Sequence, residues 1–218
     1  MTKTDIQLKQ DIENELRWDP KINPAQIGVS VDHGAVSLTG AVDTYAERWA
    51  AEDAIKRVAG VRAVAQDLTV KLVGAHKHAD PEIAQAALNA FKWDVWVPKT
   101  VTVSVRDGSV TLQGEVEWNF QRDAAERAVR YLSGVVHVSN SITLKSSVSA
   151  SQVKERITAA LQRQATADAH QIQVATSGGS VTLSGKASSW HEMEDATSAA
   201  WGAPGVTSVK NELAISSH

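Results

Sequence analysis

The sequence predicts an α+β protein of three tandem α-β-β-α-β modules, each a three-stranded mixed sheet covered on one face by two helices. A pentapeptide, Val-x-Leu-x-Gly, recurs at Val36–Gly40, Val110–Gly114 and Val181–Gly185. A Gly-Val pair begins 20 residues after the last glycine of every copy. Around these landmarks the spacing of apolar residues alternates between helical and strand patterns in the same order three times.

The recurrences divide the 218 residues into modules at 1–75, 76–148 and 149–218. A module of about 70 residues buries only a modest core, so we expect the packing of one module on another to matter for stability.

Each module opens with a helix whose apolar residues are spaced by three and four positions. These residues are Leu8, Ile12 and Leu16; then Ile83, Ala87, Leu88 and Phe91; then Val153, Ile157, Ala160 and Leu161. In the second module, Asp80 followed by Pro81 predicts an N-cap with proline at the first helical position.

A β-hairpin and a second helix follow in every module. Alternating apolar residues predict the first strand, and the pentapeptide lies on the second. A helix rich in alanine comes next, and the glycine of the Gly-Val pair is predicted to cap its C-terminus. The third strands are predicted at residues 64–70, 138–144 and 209–215. The glycines expected to define the fold are Gly34, Gly108 and Gly179 in the turns, Gly40, Gly114 and Gly185 in the pentapeptides, and Gly60, Gly134 and Gly205 after the second helices.

Composition excludes several classes of function. The chain is 43% apolar and 22% charged with a net charge of -3, and no module is basic, so we expect no nucleic-acid partner. It contains no cysteine, which excludes disulfides and zinc sites built on cysteine. No stretch has the ~18 apolar residues of a transmembrane segment, and the first residues are polar. The sequence as it stands predicts a cytoplasmic protein, or a periplasmic one if a leader has been removed.

Catalytic and metal-binding patterns are not recognisable. The His191-Glu192 pair lacks the second histidine of a zinc-protease helix, because Asp195 stands in its place. The segment His76-Lys77-His78 offers two imidazoles in a linker, whereas a zinc site needs three or four ligands. No phosphate-binding glycine loop is present. We therefore expect a protein that is not an enzyme and has no catalytic, cofactor-binding or metal-binding residues.

Tryptophan is the unusual residue type, with seven copies against two phenylalanines and two tyrosines. Trp-Asp pairs follow the first helix in two modules, at Trp18 and Trp93, whereas the tryptophans around the second helices occupy positions that do not coincide. Such residues suit packing between modules or a surface that faces a partner. The best candidates for a lipid- or partner-binding surface are Trp18, Trp93, Trp96 and Val97.

The Gly-x-Val-x-Leu-x-Gly cores at residues 34–40, 108–114 and 179–185, with the Gly-Val pair 20 residues on, resemble the BON domain. This family occurs in osmotically inducible bacterial proteins and in some outer-membrane lipoproteins. The resemblance implies a non-enzymatic module that takes part in osmotic and envelope stress and interacts with phospholipid. Some relatives bind potassium, and others act as periplasmic chaperones.

Three functions therefore stay open from the sequence. The first is a binding or scaffolding protein of the bacterial stress response that presents its modules to lipid, to a protein partner or to an identical subunit. The second is a cytosolic potassium sensor that uses backbone carbonyls, which leave no side-chain pattern. The third is a holdase-like chaperone, which needs exposed apolar grooves.

Overall fold

The computed structural model describes residues 3–145, 153–163 and 171–215, and in them the predicted α-β-β-α-β order occurs three times. The first module comprises α1 (Asp5–Trp18), β1 (Ile27–Asp32), β2 (Ala35–Val42), α2 (Tyr45–Lys56) and β3 (Ala63–Val70). The second comprises α3 (Asp80–Trp93), β4 (Thr102–Arg106), β5 (Ser109–Val116), α4 (Asn119–Arg130) and β6 (His137–Leu144). The third comprises α5 (Val153–Arg163), β7 (Ile172–Ser177), β8 (Ser180–Ala187), α6 (Trp190–Trp201) and β9 (Ser208–Ile215).

The strand that carries the pentapeptide is the middle strand of every sheet, in the orders β1-β2-β3, β4-β5-β6 and β7-β8-β9. In the first sheet β1 runs antiparallel to β2, with Val29 opposite Leu38, and β3 runs parallel to β2, with Leu38 opposite Gln66. The third sheet repeats this arrangement. The predicted mixed sheets are confirmed.

Both helices of a module cover the same face of its sheet. In the first module Val36 and Leu38 of β2 are buried, whereas Ser37 and Thr39, which alternate with them, are more accessible. The helix residues that pack on the covered face are Leu8, Ile12 and Leu16 of α1 and Ala50, Ala51, Ala54 and Ile55 of α2. Small alanines on the second helix let it lie close to the sheet, which explains its alanine-rich stripe.

Two details of the predicted first helices are wrong. Leu88 is 50% exposed, because Ile83 and Ala87, four residues apart, already fill the narrow face that contacts the core. Asp80 is not an N-cap; that position is Ala79, and Asp80 is the first helical residue.

The Asp80 carboxylate bonds instead to the hairpin turn of its own module. It accepts the backbone N–H groups of Asp107 (2.8 Å) and Gly108 (2.9 Å). Asp5 bonds in the same way to the equivalent turn in the first module. Consecutive backbone N–H groups in a left-handed turn form a concave site for an anion, which the aspartate fills. We call this contact the aspartate–turn bond.

The second helices end before the Gly-Val pair, so the predicted glycine C-cap is wrong. In the first module α2 ends at Lys56 with Arg57 as its C-cap, and a turn separates this end from Gly60. Gly60 has φ of +105° and lies in that turn.

The last glycine of each pentapeptide lets two backbone segments approach each other closely. Gly114 has φ of +135°, and a Cβ atom there would overlap the carbonyl of Thr100, where the chain enters the hairpin. Gly40 and Gly185 meet the equivalent carbonyls of Gln26 and Gln171. Only glycine allows this close approach of two backbone segments.

The chain packs as two compact units, and each includes part of the middle module. The first consists of Met1–Asp94, Val103–Leu112 and Glu126–Ser139, and the second of Val95–Thr102, Gln113–Ala125 and Asn140–His218.

Within the first unit, α2 of the first module contacts the end of α4. The guanidinium carbon of Arg130 lies 4.1 Å from the centroid of the Trp49 ring, and one Arg130 nitrogen donates to Glu126 at 3.1 Å. The Tyr45 ring meets His137 edge-on, with 6.4 Å between centroids. Burial, and secondarily the negative charge of Glu126, raises the pKa of Tyr45. These contacts join the first two modules through aromatic and charged side chains.

Candidate binding groove

The second unit contains an open groove of about 870 Å³ between the start of α4 and the exposed face of α6. Its apolar lining consists of Trp118, Phe120, Trp190, Met193 and Trp201. We call this surface the aromatic groove. Its volume lies within the range of about 300–1,000 Å³ that is typical of ligand sites, and aromatic side chains predominate in such sites.

The wall from the second module begins at the turn before α4. The side-chain oxygen of Gln121 accepts the backbone N–H groups of Glu117 and Trp118, both at 3.1 Å, and so fixes that turn. Phe120 stacks beside Trp118 with 6.5 Å between centroids and 25° between planes. Trp96 packs edge-on against the Phe120 ring at 5.4 Å. Phe120 is nevertheless 47% exposed, so this wall presents an accessible aromatic surface.

The wall from the third module is held by a buried carboxylate. Glu192 is only 4% exposed and accepts both the backbone N–H and the hydroxyl of Ser188, each at 2.6 Å. The Ser189 hydroxyl caps α6 by accepting the Glu192 N–H. These bonds fix the first turn of α6 and therefore the placement of Trp190.

The same device recurs at the third residue of each second helix, as Glu47, Gln121 and Glu192. In the first module Glu47 accepts the N–H groups of Asn23 (2.7 Å) and Asp43 (3.0 Å). Sequence reasoning missed this device. Its signal is an acidic or amide residue at the third helical position in all three copies, which in the first and third follows a Thr or Ser cap.

A positively charged side chain of the protein lies against one aromatic ring of the groove. The guanidinium carbon of Arg122 is 4.7 Å from the centroid of the Trp201 ring, and its Nε lies 3.9 Å from the Asp123 carboxylate. The Arg122 carbonyl accepts a hydrogen bond from Asn140. The contact between Arg122 and Trp201 links α4 to the last residue of α6 within the second unit.

Asn119 leaves a buried acceptor at the groove. Its side chain is 8% exposed, and its Nδ2 donates to Asp123 at 2.7 Å. Because a carboxylate only accepts, this bond fixes which amide atom faces Asp123. The opposite atom, Oδ1, has no hydrogen-bond partner among the residues that the structure describes. A buried acceptor left in this way costs about 1–3 kcal/mol, which a ligand donor would recover if side chains at the groove moved to let it reach Oδ1.

The four residues predicted to form a lipid- or partner-binding surface lie in different places in the structure. Trp18 and Trp93 are the last residues of α1 and α3, and they are 84% and 83% exposed. Trp18 borders a separate depression together with residues of α1 and Arg57. Trp96 joins the aromatic groove through Phe120, whereas Val97 is half-buried. Their contact with a partner stays a prediction.

Polar side chains also cluster outside the aromatic groove. Ligand atoms of Asp5, Asp32 and His33 lie within 4.8 Å of one another, but both Asp5 oxygens already accept backbone N–H groups of the hairpin turn. His191 is exposed and faces Asp195 across one helical turn at 3.6 Å. In the same described residues, no helix combines the length and apolar character required to cross a membrane.

Comparison with known proteins assigns the repeats. The BON domain matches residues 4–71, 79–146 and 149–217. Over 129 residues the chain is 30% identical to Osmotically-inducible protein Y of Escherichia coli (strain K12), covering 57% of this chain and 64% of that protein.

Among solved structures, CdsD, a structural protein of the Type III secretion system of Chlamydia trachomatis, aligns with a TM-score of 0.28 and 14% identity, covering 96% of this chain and 92% of that one. Its C-terminal domain aligns with the same score and identity over 98% and 100%. The three matches to the BON domain span almost all of the described residues, and the chain therefore belongs to the BON domain family.

Proposed function

We propose that this protein is a non-enzymatic binding protein of the bacterial osmotic or envelope stress response, and that the aromatic groove is its principal binding surface. The stress role is supported by the BON modules and by the similarity to Osmotically-inducible protein Y. The binding role rests on one observation, an accessible groove lined by three indoles with a buried, unpartnered acceptor beside them. Exposed apolar patches of this kind mark interaction sites on water-soluble proteins.

The test uses Nile red, a neutral dye that fluoresces in apolar surroundings. We expect the wild type to bind it and the double variant Trp118→Ala/Phe120→Ala to bind at least about tenfold more weakly, because aromatic anchors dominate such sites. Trp18→Ala is the matched control, since it removes an equally large exposed indole outside the groove. Equal binding by all three proteins would remove the groove from the proposal.

A second candidate, contact with a lipid surface, is favoured by the equivalent positions of Trp18 and Trp93. Both indoles end the first helix of a module and are more than four-fifths exposed. Indoles are enriched at membrane interfaces because they combine an apolar ring with one donor. Co-sedimentation with vesicles of phosphatidylethanolamine and phosphatidylglycerol should fall in Trp18→Ala/Trp93→Ala and persist in Trp118→Ala/Phe120→Ala. Absence of sedimentation with any lipid would exclude this candidate.

A further inference from the structure

We propose that the occupant of the aromatic groove is an extended polypeptide segment in which apolar side chains alternate with lysine or arginine. This inference rests on the proposed function, because it names the ligand of that same surface. Three properties of the groove carry it: its lining, its buried acceptor and the charges at its rim.

The lining requires several apolar groups at once. Phe120 and Trp118 form one continuous aromatic surface on the first wall, and Trp190 and Met193 face the groove from the other. A groove of about 870 Å³ accepts several side chains of a partner, more than a single small ring would fill. Side chains on one face of an extended segment recur at every second residue and can follow such a surface.

The acceptor favours a ligand that carries a hydrogen-bond donor, which a polypeptide has and an acyl chain lacks. Asn119 Oδ1 is buried and lacks a partner among the described residues. The backbone of an extended segment offers N–H groups along its edge, and edge donors of this kind are used when peptides bind as added strands. The interior N–H groups of a helix are already bonded within the helix. The acceptor therefore favours an extended segment.

Charge at the rim favours a basic segment. Asp123 on α4 and Glu194 on α6 place carboxylates on both walls, and both residues are exposed. The positive charge of Arg122 is directed onto the Trp201 ring and lies near Asp123, so it compensates only one wall. Lysine or arginine on the outward face of the segment would meet the carboxylates while its apolar face lies on the indoles. Opposite charges at a rim supply orientation and specificity.

The experiment compares three fluorescein-labelled peptides on the complete protein. In the first, leucine and phenylalanine alternate with lysine; in the second, glutamate replaces every lysine; the third is the lysine peptide with N-methylated backbone amides. We expect the lysine peptide to displace Nile red and to bind about tenfold more tightly than either of the others. Phe120→Ala should weaken its binding by at least about tenfold.

A charge reversal makes the test specific. Glu194→Lys should narrow or invert the preference between the lysine and glutamate peptides, whereas Glu155→Lys, which reverses an exposed glutamate of α5, should leave it unchanged. Equal affinity for the first two peptides, or retained affinity after N-methylation, would overturn the inference while leaving the groove as an apolar site. If the wild type bound neither Nile red nor any of the three peptides, the proposed function would be overturned as well. Vesicle binding that depends on Phe120 would identify the groove as a lipid site instead.

Discussion

The aspartate–turn bond of the second module gives the sharpest test of how the repeats are stabilised. Asp80→Asn keeps the size of the side chain but removes its charge and one of the two acceptors that bond to Asp107 and Gly108 at 2.8 and 2.9 Å. A hydrogen bond to a charged group contributes about 1.5–3 kcal/mol net. Because the bonds lie near solvent and asparagine retains one acceptor, we expect the module to lose about 2 kcal/mol. That loss is roughly a thirtyfold increase in the opening equilibrium.

Hydrogen exchange at two amides measures this loss and separates a local effect from a global one. The amide of Gly108 reports the turn, and that of the fully buried Leu112 reports the sheet. Both should exchange about thirtyfold faster in Asp80→Asn. Asp32→Asn is the control, because its side chain is 90% exposed and such surface changes stay within about 0.5 kcal/mol. Faster exchange at Gly108 with an unchanged rate at Leu112 would show that the bond orders only the turn, and would refute its role in module stability.

Four further outcomes follow from the structure. In urea unfolding, Gly114→Ala should cost more than about 3 kcal/mol, whereas Gly178→Ala, with φ of +58° and open space around it, should cost about 1 kcal/mol. A double-mutant cycle on Trp49 and Arg130 should give a coupling of about 1 kcal/mol, because the guanidinium lies on the ring and is only 14% exposed. Burial raises the pKa of Tyr45, so its contribution to stability is complete below the unfolded pKa of about 10 and is lost as the pH rises above it; melting curves of Tyr45→Phe should lack this loss. Since we propose no bound cation, melting temperatures in potassium and sodium chloride at matched ionic strength should agree, and a higher value in potassium would favour the cation-sensor alternative.

Sequence reasoning was most accurate where a pattern repeats locally. The third strand predicted at residues 64–70 is observed at Ala63–Val70. The alternating apolar residues, the glycine turn before them and the place of the strand at the edge of the sheet all favour a strand there. It was least accurate at helix ends, where long-range contacts compete with local ones. Asp80 followed by proline satisfies every local rule for an N-cap, yet its carboxylate contacts a hairpin turn 27 residues away. Local sequence preferences cannot predict that bond.

The aromatic groove was not predicted, because the sequence comparison considered equivalent positions of the modules, whereas the groove joins positions that are not equivalent. In an alignment of the modules, Arg122 is equivalent to Met193, since each is the fourth residue of its helix. Arg130 is equivalent to Trp201, since each is the twelfth. The groove instead brings together different positions, since the fourth residue of α4 lies on the twelfth residue of α6.

Residues that look unrelated in the alignment are therefore neighbours where two modules meet. Trp118, Trp190 and Trp201, whose positions do not coincide in the alignment, line this junction. In this sequence the pairing depends on a difference between copies, because the twelfth residue is Trp201 in α6 but Arg130 in α4. We therefore expect exchanging Arg122 and Trp201 to preserve each module while removing groove binding of Nile red. Retained dye binding by the exchanged protein would show that the apolar lining alone, without this pairing, is sufficient.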